Sequence, residues 1–179
     1  MGTLRGQRRP MIRGSDNGRD ADGFRTDVVA IVTGGSSGTG RQVARALASW
    51  GWAIVIVYLE HQLATEVTVA EILAAEGKAI AVRADLSDEL DVQRLFAEST
   101  SAFERVDIVV HTTPGPASLL YRYAARHVGP RGAIVSIPDA DRVPIGVARQ
   151  LLERGVSVAN APAQGVLSFF DRWRQETVG

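Results

Sequence analysis

At 179 residues the chain is long enough to bury a core and falls in the range of one domain. Acidic and basic side chains number 20 each, which excludes a global field drawing the protein to nucleic acid or an anionic membrane. Cysteine is absent, which excludes disulfides, thiolate catalysis and Cys-based metal sites.

Residues 1–27 form the first segment. Arg5, Arg8, Arg9, Arg13, Arg19 and Arg25 stand against Asp16, Asp20, Asp22 and Asp27, with few large apolar side chains. No apolar stretch follows the early arginines as a secretory signal requires, and no run reaches the roughly 20 apolar residues of a membrane span. A cytoplasmic protein is expected. Such a tail buries too little surface to offset its ordering entropy, so disorder is expected; a basic arm that orders against a partner subunit is the alternative.

From Val28 onward, short apolar runs alternate with amphipathic stretches, and residues 28–179 read as a single domain. Val28 to Val32 is a β-branched run of the kind buried on both faces of a sheet. Residues 40 to 50 read as a helix with Val43, Ala44, Leu47 and Trp50 on one face, stopped by Gly51. A second strand runs from Trp52 to Tyr58. Residues 62 to 76 place Leu63, Val67, Ala70 and Ala74 at helical spacing as the apolar face of a second helix, ended by Gly77. Ala79 to Ala84 is a third strand.

Ser87 then has the position of an N-cap, with Asp88 and Glu89 in the first turn. Val92, Leu95, Phe96 and Phe103 form the buried face of that helix. Strands follow at Val106 to Val110, Ala133 to Ile137 and Val156 to Ala161. Helices are expected around 117 to 127, over 144 to 153 and over 165 to 175, the last with Val166, Phe169, Phe170 and Trp173 inward. Strict alternation of strand and helix implies right-handed crossovers and a Rossmann-like doubly wound α/β sheet of six parallel strands in order 3-2-1-4-5-6.

Ligands of such sheets bind beyond the carboxyl ends of the strands, at the point where strand order reverses. Directly after the first strand lie Thr33, Gly34, Ser36, Ser37, Gly38, Thr39 and Gly40. Gly34 permits a tight turn, Gly38 lets the backbone approach a pyrophosphate, and Gly40 lets the helix pack closely. The amides at the helix start can hold the anion. A close-packed turn that binds nothing is the alternative.

The run Thr33-Gly34-Gly35-Ser36-Ser37-Gly38-Thr39-Gly40-Arg41 resembles the Thr-Gly-x-x-x-Gly-x-Gly signature of the short-chain dehydrogenases/reductases. Asp85-Leu86 resembles that family's Asp-Val/Leu pair after the third strand, which implies a contact of Asp85 with the adenine. The resemblance covers 28 to 112 closely and the later strands in outline. It implies NAD(P) as cofactor. Tyr58 falls where an acidic residue favours NAD. The missing acid tips the balance slightly to NADP, although no Arg follows to hold a 2′-phosphate, and Glu60 is able to restore NAD.

The catalytic half of the pattern is missing. The family uses a Tyr hydroxyl to protonate a carbonyl and a Lys four residues later to lower its pKa. The one lysine here is Lys78, preceded four residues earlier by Ala74; Tyr58, Tyr121 and Tyr123 are followed at that spacing by Gln62, Ala125 and His127. His111-Thr112-Thr113-Pro114 replaces the family's Asn-Asn-Ala-Gly, and Asp139 stands near its catalytic Ser. The fourth and fifth helices are shortened and no seventh strand is expected, so the chain resembles a truncated, degenerate member.

Since those two helices build the dimer interface in most of the family, altered association is implied. The expected partner is another subunit of this type, in a homo- or hetero-oligomer. His111 and Asp139 are the remaining acid/base candidates, at neighbouring strand ends; a strand-end cap and a polar turn are the alternative. The carboxylates Asp139 and Asp141 read as a turn, and Tyr121, Arg122, Tyr123 and Arg126 as cation–π packing or an interface. No metal signature is present.

Three functions remain open. The chain is a non-catalytic partner of a reductase in a biosynthetic pathway, an enzyme with a reassigned pocket (isomerase, cyclase or dehydratase), or an atypical NAD(P)-dependent oxidoreductase.

Overall fold

The computed structural model describes residues 27–177 except Ser37, Pro138 and Asp139. The expected N-terminal tail therefore lies, apart from Asp27, outside the described residues. In chain order the elements are β1 (Val29–Thr33), α1 (Gly38–Ser49), β2 (Ala53–Tyr58), α2 (Gln62–Ala74), β3 (Lys78–Arg83), α3 (Glu89–Phe103), β4 (Ile108–His111), α4 (Ser118–His127), β5 (Ala133–Ser136), α5 (Ile145–Glu153), β6 (Ser157–Asn160) and α6 (Ala163–Glu176). The strands are all parallel and lie in the order β3-β2-β1-β4-β5-β6, as the alternation of patterns implies.

Both faces of the sheet are covered, which is why the central strands are continuous apolar runs. Every residue of β1, β4 and β5 is buried. Val29 and Ile31 face the side where α3, α4 and α5 contribute Phe96, Tyr121 and Leu151. Ala30 and Val32 face the other side, against Leu47 of α1, Ile72 of α2 and Phe170 of α6. There Trp52 meets Phe170 and Trp173 edge-on, with ring centroids 5.8 and 5.6 Å apart, an arrangement that favours aromatic contact beyond simple area burial. Among the described residues no helix is long and apolar enough to cross a membrane.

The structure corrects two expectations about helices. The face of α2 that meets the sheet consists of Thr65, Thr68 and Ile72, while Leu63 and Val67 are exposed at 78% and 50%. The apolar stripe legible in the sequence is the outer one. Thr65 and Thr68 donate their hydroxyls to the carbonyls of His61 and Ala64 at 3.2 and 3.1 Å, so only their methyl groups remain to face the core.

The second correction concerns α3, whose N-cap is Asp88. Its carboxylate accepts the amides of Leu90 and Asp91 at 2.8 and 3.1 Å. Ser87 is engaged one step earlier, donating both its amide and its hydroxyl to Asp85. Helices α4 and α5 are short, with 10 and 9 residues, and α5 fully buries only Leu151.

Candidate functional site

The turn after β1 is built by glycines with different tasks. Gly34 sits at φ +68° and Gly38 at φ +57°, in the left-handed region that side chains disfavour. A Cβ at Gly40 would stand 2.2 Å from the Gly34 carbonyl oxygen, so the turn closes directly on the helix start. At Gly38 nothing lies within 4 Å of the Cβ position. The middle glycine thus leaves a concave space at the N-terminus of α1, where unpaired amides and the helix dipole favour an anion. This cradle fits the pyrophosphate of a dinucleotide. Thr39 lies in the first turn of α1, and Ser37 is outside the described residues.

A cleft of about 340 Å3 opens from this turn along the carboxyl ends of β1 to β4. Thr33, Gly34 and Ser36 form its floor, Tyr58, Glu60 and His61 one wall, and Asp85, Leu86 and Ser87 the end beyond β3. His111, Thr113 and Pro114 line it after β4. The structure therefore brings Tyr58, Asp85 and Leu86 to the glycine turn, although they follow different strands. The Asp85 carboxyl is held below its ordinary range chiefly by the Ser87 hydroxyl and then by the Ser87 amide, at 2.6 and 2.8 Å. No Arg or Lys is among the lining residues.

Beyond the cleft's inner end a row of polar residues crosses the sheet. Register pairs His111 of β4 with Ser136 of β5, and Ser136 with Asn160 of β6. Thr33 of β1 adjoins His111, its hydroxyl 3.0 Å from Nδ1. The Asn160 amide donates to the Ser136 hydroxyl at 3.0 Å. His111 is buried, and its Nε2 has no hydrogen-bond partner. Burial pushes the His111 pKa down to about 4, opposed by the Asp141 carboxylate and the Gly115 carbonyl.

Tyr121, beneath this row, sets its ring edge-on to His111 and donates its hydroxyl to the Asp141 carbonyl. Burial raises the pKa of the phenol, with the Ser136 side chain acting the other way. The Asp141 carboxylate accepts the Ala117 amide at 3.1 Å, which ties the turn before α5 to the start of α4. Asp139, the expected partner of His111, lies outside the described residues.

Sequence reasoning singled out Thr33 and His111 but gave no role to Ser136 or Asn160. A signal existed: each of these four strands ends its apolar run on a polar residue at the ligand-facing end. Among the described residues, folding brings no Tyr beside Lys78. Lys78 opens β3 at the end opposite the cleft. Tyr121 is committed to Asp141, and Tyr123 stacks on Phe96 with Arg126 over its ring.

A family model described as short chain dehydrogenase matches residues 28–118. A 3-oxoacyl-(acyl-carrier-protein) reductase of Synechocystis sp. is 40% identical over 86 residues, which cover 48% of this chain and 35% of the reductase. The chain spans about a third of the length of the curated relatives it matches. Among solved structures, a short chain dehydrogenase from Burkholderia cenocepacia in complex with NADP superposes with a TM-score of 0.64 at 25% identity, covering 82% of this chain and 81% of that one. A short-chain dehydrogenase/reductase from Serratia marcescens gives 0.65 at 27% identity, over 75% of this chain and 73% of the other. The matched stretch includes the glycine turn and the whole first half of the sheet, and the chain belongs to the short-chain dehydrogenase family.

Proposed function

We propose that residues 28–179 form one NAD(P)-binding domain that does not itself carry out the family's Tyr/Lys hydride transfer. It serves as a non-catalytic cytoplasmic subunit beside another short-chain dehydrogenase-like chain, in a reductase of a biosynthetic pathway. What supports this reading is a glycine turn with open space at Gly38 beside a cleft, in a chain where, among the described residues, no Tyr stands beside Lys78. A bound nicotinamide dinucleotide supplies a hydride donor or acceptor. The turn at Thr33–Gly40 holds its phosphates, Asp85 and Leu86 its adenine end, and Tyr58 and Glu60 its ribose. The Burkholderia relative was solved with NADP, while Glu60 on a wall without cations favours the ribose hydroxyls of NAD.

Calorimetric titration with NAD, NADH, NADP and NADPH tests this reading. Binding that disappears in Gly38→Glu, whose side chain enters the open cradle, is the expected result. Absence of binding at millimolar cofactor, or robust turnover of a carbonyl substrate by the pure chain, refutes it. A second reading, a pocket reassigned to isomerisation, cyclisation or dehydration through His111 and Asp139, is favoured by the buried position of His111 at the cleft. Retention of such activity in a His111→Ala, Asp139→Asn double variant would remove that assignment.

A further inference from the structure

The surroundings of the Thr33 hydroxyl favour one tautomer of His111. Two donors converge on that oxygen, the Thr112 amide at 2.9 Å and the Thr113 hydroxyl at 3.3 Å. With both lone pairs taken, the Thr33 proton is left for the remaining neighbour, Nδ1 of His111 at 3.0 Å. An imidazole that accepts at Nδ1 and is neutral carries its hydrogen on Nε2. The Gly115 carbonyl acts on the ring, but no acceptor stands within hydrogen-bonding distance of this buried Nε2–H, a condition that native folds seldom leave uncompensated.

We infer that His111 is a hydrogen-bond donor of the cleft, presenting Nε2–H to an uncharged carbonyl or carboxamide oxygen of the bound ligand. The inference rests on the reading of the cleft as a dinucleotide site and assigns a task to its inner end. His111 lines the cleft beside Thr33 and Thr113, and the exposed Pro114–Pro116 segment lines it too, so the ring borders a surface loop. Asp141 is close enough for its negative charge to act on the ring, which disfavours an anionic acceptor there. With Nδ1 engaged and Nε2 protonated, the ring has no lone pair to take a proton. His111 polarises an oxygen instead of acting as a base, a role that neutral imidazoles fill elsewhere.

The oxygen has two sources, the nicotinamide carboxamide or a substrate carbonyl, and imidazole nitrogen NMR of the 15N-labelled protein separates them. His111→Gln assigns the signals, since His61 and His127 are the only other histidines. At neutral pH His111 is expected to show a protonated Nε2 and an unprotonated Nδ1. NAD or NADP should shift the Nε2 proton, while ADP-ribose and 2′-phospho-ADP-ribose, which lack the carboxamide, should not.

A shift that appears only when a short 3-oxoacyl thioester is added to the ADP-ribose complex assigns the oxygen to substrate. His111→Phe should weaken dinucleotide binding about tenfold and leave ADP-ribose binding unchanged if the carboxamide is the acceptor. A proton on Nδ1 overturns the inference, as does an Nε2 signal that no probe moves while calorimetry records bound dinucleotide. Absence of heat with every dinucleotide refutes the cleft reading itself, and this inference with it.

Discussion

His111 stays neutral because burial disfavours the imidazolium, and that preference links its proton to stability. Its folded pKa, about 4, lies below the unbound value of 6.5. Between those values the unfolded chain binds the proton and the folded chain does not, so stability falls as pH drops. The contribution is complete above pH 6.5, is lost progressively toward pH 4, and amounts to about 3 kcal/mol. Urea unfolding of the wild type should show this slope between pH 6.5 and 4, and His111→Gln should lack it. Equal slopes in the two proteins would mean that the ring is not desolvated. The type of residue was readable as a candidate, since a His at the end of a buried strand is conspicuous. Its partners were not: Thr33, Ser136 and Asn160 reach the row only through strand register, which a sequence does not display.

At the scale of elements, strands were easier to read than helix faces. A strand buried on both sides announces itself as an uninterrupted β-branched run, and β1, β2 and β4 lie within two residues of their expected bounds. Helix α2 offers two competing stripes. Hydropathy favours Leu63, Val67, Ala70 and Ala74, yet the fold buries Thr65, Thr68 and Ile72. A threonine whose hydroxyl is satisfied by its own helix presents a methyl group to the core, and a polarity scale does not register this. Thermal or urea denaturation separates the faces. Ile72→Ala should cost about 2–4 kcal/mol through a cavity under the sheet, whereas Leu63→Ala should stay within about 0.5 kcal/mol. The reverse ranking would contradict the orientation of α2. The α3 N-cap shifted by one position because the neighbours Ser87 and Asp88 are both good caps, and Asp85 captures the first of them.

For the whole molecule, strand order was legible because alternating patterns leave few right-handed solutions. Depth was not: β6 is only half-buried and its Asn160 is exposed, although its sequence reads like the inner strands. The centre of the sheet is fastened at both ends of the β1–β4 pair. At the carboxyl end Thr33 and His111 meet. At the amino end the buried Asp107 accepts the Val29 amide at 2.9 Å and the Arg105 guanidinium at 3.0 Å. Asp107→Ala leaves the amide without its acceptor and Arg105 without this counter-charge, and should cost about 2–3 kcal/mol in urea unfolding. A change under about 0.5 kcal/mol would show that water replaces the carboxylate at no cost.

Both fastenings join residues 78 positions apart, and this separation orders events in time. Everything from α1 to α3 lies inside the loop that they close. The unit from β1 to β3 can form with shorter closures, at smaller entropic cost. A chain arrested at that stage holds a glycine turn but no inner end to its cleft, because His111 arrives only with β4. A contact of a ligand with His111 therefore requires closure of this long loop, the costlier one in chain entropy.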